Sequence, residues 1–325
     1  MPLFRSSIQG ALLLVTGLMA PPALAFELGF PVACALGGDC FIQNAFDHDP
    51  GEGAQDAACG PLAYDGHDGT DIALPTLAEQ AAGVEVLAAA PGVVAGVRDG
   101  MTDAPQGREG APDVSGRECG NGVLLRHEGG WETQYCHMAE GSVAVAEGAT
   151  VEAGAVLGRI GLSGNTEFPH LHITVRRDGV EIDPFAPDAT STCGDLPAAD
   201  LWAGDVALPP GGILDAGFAT GVPAYEEVKD GTADRPVASA EPVVLFALMF
   251  GGRAGDVVRL SVAGPEGTVI DHEEALDRTQ AQLFRAAGLR APEGGWPAGD
   301  YRGEATLLRD GATISTRTVE TTLSP

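Results

Sequence analysis

His67 and Asp71 stand four residues apart in Tyr64-Asp65-Gly66-His67-Asp68-Gly69-Thr70-Asp71. A glycine between them lets the chain turn, so one imidazole nitrogen and one carboxylate oxygen can reach the same cation. Taken alone, this H-x-G-x-D pattern reads more plainly as an acidic, Gly-rich loop in a very acidic chain. His170 and His172 lie in Pro169-His170-Leu171-His172-Ile173-Thr174-Val175. The tail of that segment is strand-like, so residues two apart face the same side and both imidazoles point together. The plain alternative is a pair of polar residues on a solvated face. His137 ends Gln134-Tyr135-Cys136-His137 and would be ordinary by itself. The combination of these segments in one chain points to a metal site built on β-structure.

The elements that must position these side chains are mostly strands. Val123–His127 and Thr133–Cys136 flank Glu128-Gly129-Gly130, a hairpin turn that places His137 at the end of the returning strand. Thr76 and Glu79 form a T-x-x-E capping box, which predicts a short helix over Leu77 to Ala82 that Gly83 can terminate. From about 236 onward the chain reads as short strands. Val243 to Phe250 is a buried apolar run, Val257 to Val262 alternates, and Asp310-Gly311 turns between 305–308 and 313–316. A small Ig-like β-sandwich is expected there. The stretch 198–235, with Pro209-Pro210-Gly211-Gly212, reads as a linker.

Six cysteines, Cys34, Cys40, Cys59, Cys119, Cys136 and Cys193, allow 15 pairings. The hairpin brings Cys119 toward Cys136, and Cys34 with Cys40 could close a small loop, which leaves Cys59 with Cys193. No C-x-x-C pair exists, so a thiolate zinc site does not fit. Disulfides imply an oxidising compartment. Residues 1–25 agree with that, with Arg5, an apolar stretch from Ala11 to Met19 and Ala23-Leu24-Ala25 reading as a cleavable signal peptide. An exported protein without a membrane anchor after cleavage is expected, periplasmic or else secreted. The formal charge of −28 argues against nucleic acid and anionic membrane surfaces, because affinity for both needs Lys and Arg against phosphate.

The order of the motifs resembles the lysostaphin-type (LytM-like) zinc endopeptidases, which cut peptides in bacterial cell walls. The match runs from His67 to Val175: H-x-G-x-D, then Gly83-Val84-Glu85-Val86-Leu87-Ala88-Ala89-Ala90-Pro91-Gly92-Val93-Val94, then Tyr135-Cys136-His137, then His170-Leu171-His172. The resemblance implies an antiparallel β peptidase domain over 26–197, with its core at 60–185, ahead of the sandwich at 236–325. It implies His67, Asp71 and His172 as ligands of one Zn²⁺ per chain, and His137 and His170 as the catalytic pair. Ile173-Thr174 replaces the usual aromatic-acidic pair after H-L-H, and Glu167-Phe168 stands where Gly or Ser is typical. Two imidazoles and a carboxylate leave zinc open to water, which it acidifies to a pKa of about 7 while polarising a carbonyl. With no H-E-x-x-H glutamate, proton transfer falls to histidine.

The expected activity is therefore hydrolysis of peptide bonds in peptidoglycan stem peptides or cross-links. A silent or latent wall regulator that activates amidases or acts as a scaffold is the alternative, and a protease of protein substrates is a third. A monomer is expected, with the C-terminal sandwich as a surface for a partner. His127 ends a strand and reads as structural, and His272 as solvated. His48, in Asp47-His48-Asp49-Pro50, could fold over the site as a lid or latent ligand. The acidic stretch Asp47 to Asp56 lacks EF-hand spacing and reads as a solvated loop rather than a calcium site.

Overall fold

The computed structural model describes residues 26–107, 111–188, 193–194 and 200–324. The signal segment 1–25 and the domain boundary expected at 197 lie outside the described residues. The first part of the chain holds β1 (Phe41–Asn44), β2 (Thr70–Ala73), α1 (Leu77–Ala82), β3 (Glu85–Leu87), β4 (Gly92–Arg98), β5 (Asn121–Arg126), β6 (Trp131–Met138), β7 (Thr150–Val151), β8 (Val156–Arg159), β9 (His170–Arg177) and β10 (Val180–Ile182). Eight of these strands form one antiparallel sheet in the order β1-β2-β9-β6-β5-β4-β7, with β10 on β9. A separate two-stranded sheet pairs β3 with β8.

Strand periodicity divides this sheet into two faces. On β9, Leu171, Ile173 and Val175 are almost fully buried and join one core with Leu125, Tyr135 and Ile72. Each such aliphatic side chain contributes about 2 kcal/mol by leaving water. The alternate residues, His170, His172 and Thr174, are sent to the opposite face by the same two-residue period. Cross-strand register places Asp71 on β2 opposite His172 on β9, and Cys136 on β6 opposite His172 from the other side. The carboxylate, the imidazole and the cysteine therefore share one face of the sheet.

The rest of the chain forms β11 (Gly212–Ala219), α2 (Tyr225–Lys229), β12 (Val243–Gly252), β13 (Val257–Gly264), β14 (Gly267–Ala275), β15 (Gln280–Leu289), β16 (Gly299–Arg309) and β17 (Ala312–Leu323). These make a three-stranded sheet, β11-β12-β15, and a four-stranded sheet, β14-β13-β16-β17. Phe218, Leu245, Met249, Val258, Leu260 and Tyr301 fill the core between them. All ten residues of β12 are buried. Its other face carries Val244, Phe246, Leu248 and Phe250, which pack with Phe41, Leu62 and Ala73 from the first part of the chain. Burial on both faces explains why this strand reads as an unbroken apolar run rather than an alternating one.

The segment expected to be a linker departs from that reading. It contains β11, whose Ile213, Ala216 and Phe218 enter one core while Leu214 and Ala219 enter the other. Small residues gave β11 the composition of a tether, but they serve packing. A Cβ on Gly217 would lie 2.8 Å from the Phe246 ring. Helix α1 follows its expected bounds, with Ala78 N–H donating to Thr76 Oγ1 and Gly83 closing it at φ 87°. The Glu79 carboxylate meets the Thr76 hydroxyl rather than a backbone N–H.

All three expected disulfides are present: Cys34–Cys40, Cys59–Cys193 and Cys119–Cys136. The acidic loop 47–56 is not simply solvated. Asp56 is buried and accepts the N–H groups of Ala58, Gly60 and Leu62, while Asp47 accepts those of Asp49, Gln55 and Gly66. Among the described residues, no helix is long and apolar enough to cross a membrane.

Candidate metal centre and active site

Three polar atoms converge at the junction of β2, β9 and the loop before β2. His67 Nε2 lies 3.2 Å from Asp71 Oδ1 and 3.1 Å from His172 Nδ1, and the last two are 2.9 Å apart. All three residues are buried. Each is held from behind. His67 Nδ1 donates to the carbonyl of Ala45 at 2.6 Å, and Asp71 Oδ2 accepts from Asn44 Nδ2 at 2.8 Å. His172 Nε2 lies 3.0 Å from Thr174 Oγ1 and 3.2 Å from Asp68 Oδ1.

Gly69 serves this packing rather than a turn. A Cβ there would fall 2.6 Å from the Ile173 carbonyl oxygen and 2.7 Å from His172 Nε2. The glycine of H-x-G-x-D is needed because the backbone runs directly against the second imidazole of the cluster.

His137 and His170 complete the surroundings. His170 Nε2 is 3.3 Å from Asp71 Oδ1, and its Nδ1 faces the Phe168 carbonyl at 3.0 Å and Thr166 Oγ1 at 3.1 Å. His137 Nδ1 donates to the Ser163 carbonyl at 2.9 Å. Its ring centroid lies 4.6 Å from that of His170 and 6.0 Å from that of His172. Simple alternation along β6 would send His137 to the same side as Tyr135, into the core. Its backbone instead adopts φ 63°, the left-handed region, which redirects the side chain toward the cluster.

The electrostatics follow from burial and crowding. Burial would raise the Asp71 carboxyl, but the charges of His170 and His67 and hydrogen bonds from His170 and His172 hold it well below the usual carboxylate range. Burial would lower His172, yet hydrogen bonds to Asp68 and Asp71 push it up to about 9. His137 is pushed down to about 3, first by burial and then by its proximity to His170 and His172. It is therefore neutral near pH 7, with Nε2 carrying its lone pair.

Two imidazole nitrogens and one carboxylate oxygen suit zinc or a similar first-row ion better than a hard cation that wants oxygen only. The other compact group of potential ligands among the described residues, Cys34, Asp39 and Cys40, has its sulfurs tied in a disulfide.

Residues 65–184 match Peptidase family M23. This stretch of the chain is similar to that family. DD-carboxypeptidase/endopeptidase Mpg of Neisseria meningitidis serogroup B is 34% identical over 120 residues, which is 37% of this chain and 22% of that protein. Its counterpart in Neisseria gonorrhoeae is 33% identical over the same shares. The chain thus matches 22% of the length of these curated relatives. Among solved structures, a variant catalytic domain of the prophage-encoded M23 protein EnpA from Enterococcus faecalis aligns at TM-score 0.34 and 22% identity, covering 50% of this chain and 98% of its own. The lysostaphin catalytic domain from Staphylococcus simulans aligns at TM-score 0.28 and 23% identity, covering 38% and 82%.

Within the matched segment 65–184 the five residues singled out from sequence come together. His48 does not join them: its Nε2 bonds Asp183 Oδ2 at 2.7 Å. His127 is structural, bridging the Pro91 carbonyl and Thr133 Oγ1. His272 is exposed on β14. Asn44, Asp68, Ser163 and Thr166 were not legible as site residues, since each acts through a single polar atom whose place only the fold sets.

Proposed function

We propose that this protein is a zinc-dependent endopeptidase that hydrolyses peptide bonds in peptidoglycan stem peptides or cross-links. The observation that carries the reading is the convergence of His67 Nε2, Asp71 Oδ1 and His172 Nδ1 beside two further imidazoles. The M23 match and the Neisseria relatives, which are named as carboxypeptidase/endopeptidases, support it. His67, Asp71 and His172 would hold the ion. When bound, zinc would polarise the scissile carbonyl and make water acidic enough to attack near neutral pH.

The chain's own groups divide the remaining work. His137, with Nδ1 committed to the Ser163 carbonyl, has Nε2 free to take a proton and return it to the leaving amine. His170 sets Nδ1 against the Phe168 carbonyl and turns Nε2 toward the cluster, 3.3 Å from Asp71 Oδ1, where it can steady the transition state. Burial of the cluster strengthens both effects by excluding water. The presence of all five residues in one cluster favours turnover over a silent regulatory role. The three disulfides favour an exported protein acting in an oxidising compartment such as the periplasm.

Purified cross-linked muropeptides and casein, each incubated with the protein with and without a zinc chelator, test the substrate class by mass spectrometry. Chelator-sensitive cleavage of muropeptides is expected. Cleavage of casein alone would move the activity to protein substrates.

A further inference from the structure

Three of the four imidazoles in the cluster are held in the same way. His67, His137 and His170 each turn Nδ1 to a main-chain carbonyl, of Ala45, Ser163 and Phe168 respectively. A carbonyl can only accept, so it draws the ring proton to Nδ1 and leaves Nε2 for the centre. His172 is reversed. Its Nδ1 faces His67 and Asp71, and its Nε2 faces two side chains, Thr174 and Asp68.

The two side chains are not equivalent. A hydroxyl both donates and accepts, so Thr174 can satisfy either tautomer of the ring. An ionised carboxylate only accepts, so Asp68 favours the ring with its proton on Nε2 and a lone pair on Nδ1. We infer that Asp68 is a positioning residue that fixes the orientation and tautomer of His172, so that Nδ1 is presented to a cation. The inference rests on the reading of His67, Asp71 and His172 as the metal-holding set. The contact has the form of a carboxylate–histidine–metal relay, in which the outer carboxylate sets ligand orientation and basicity. Its geometry depends on Gly69, the residue between Asp68 and Thr70, which lets the loop lie against the same ring edge.

Asp65 provides the control. It is an exposed carboxylate in the same loop, so replacing it removes the same charge without touching His172. Zinc affinity is measured by competition with a chromophoric chelator for the wild-type chain, Asp68→Ala, Asp68→Asn and Asp65→Asn. Asp68→Ala is expected to weaken zinc about 10- to 100-fold, the range found when an outer carboxylate is lost. Asp68→Asn should fall in between, because an amide can offer either a donor or an acceptor, and Asp65→Asn should stay close to wild type. In the zinc-loaded protein, nitrogen-15 NMR should show a protonated Nε2 on His172 that exchanges faster with solvent in Asp68→Ala. Thermal unfolding of the metal-free variants separates misfolding from loss of the contact. Wild-type affinity in Asp68→Ala, or an equal loss in Asp65→Asn, would overturn the assignment. Absence of zinc binding by the wild-type chain would overturn the metal reading itself, and the assignment with it.

Discussion

The main-chain N–H of His137 donates to the carbonyl of Cys119 across 2.8 Å. Cys119 is in turn disulfide-bonded to Cys136, the residue that precedes His137. The bond therefore clamps both ends of the contact that keeps His137 in its left-handed conformation and out of the core. Replacing Cys119 and Cys136 together by Ser should lower turnover while zinc content stays at the wild-type level. The cross-link spans 17 residues, and losing a loop of that order costs about 3 kcal/mol. The matched pair Cys34→Ser with Cys40→Ser should leave turnover unchanged. Kinetics beside zinc analysis on both double variants checks this, and equal activity in the two would show that the clamp has no role in placing His137.

Gly69 offers a test of packing at the site. An alanine there must displace either the Ile173 carbonyl or the His172 ring. Overpacking of this kind costs about 1–3 kcal/mol. Gly69→Ala should therefore lower the unfolding free energy by that amount and also weaken zinc, because the ring that yields is a candidate ligand. Chemical denaturation with and without zinc measures both effects.

Phe168 links the site to the second part of the chain. Its ring stacks on His170 with centroids 4.4 Å apart, and it packs against the cluster that β11 and β12 share with β1 and β2. Phe168→Ala should reduce kcat about tenfold or more, since small misplacements of a reacting group carry penalties of that size. Zinc affinity should be unaffected because the Phe168 ring stacks on His170, which is not one of the three candidate ligands. Steady-state kinetics with parallel zinc titration decides the point.

The pH dependence of stability can be read at Asp256. Burial would raise its carboxyl, but the Arg309 guanidinium and the Arg253 N–H lower it below the ordinary value. Arg309 Nε and Nη2 meet its two oxygens at 2.9 and 2.7 Å, and Nη2 also donates to the Gly251 carbonyl. A lowered native carboxyl stabilises the fold above the unfolded value, near pH 4, and the contribution disappears as pH falls through the lower native value. Arg309→Leu should cost about 3 kcal/mol at pH 7, because it leaves Asp256 buried without its partner. The gap should narrow as pH falls through the lowered native value, leaving what Arg309 contributes through the Pro210 and Gly251 carbonyls. Unfolding curves from pH 2 to 7 test the sign.

Much of this arrangement was legible in the residues. The alternation of Leu171, Ile173 and Val175 sets the face of His170 and His172, and the hairpin around Glu128-Gly129-Gly130 sets Cys119 against Cys136. What was not legible depends on single atoms brought together across the fold. Nothing about Asp68 distinguishes it from Asp65 in sequence, yet only Asp68 reaches His172. The conformation of His137 comes from a carbonyl 18 residues earlier in the chain, a contact that no strand pattern implies. The run 198–235 was read as a linker because glycine and alanine carry no period, although β11 uses them to fit against Phe246.

His67, Asp71 and His172 are proposed to hold one zinc while His137 moves protons beside it. Zinc content and muropeptide turnover, measured together on the wild-type chain, His172→Ala and His137→Ala, test it most directly. One zinc per chain with activity is expected in the wild type, neither in His172→Ala, and full zinc without turnover in His137→Ala. Full zinc in His172→Ala, or wild-type turnover in His137→Ala, would contradict it.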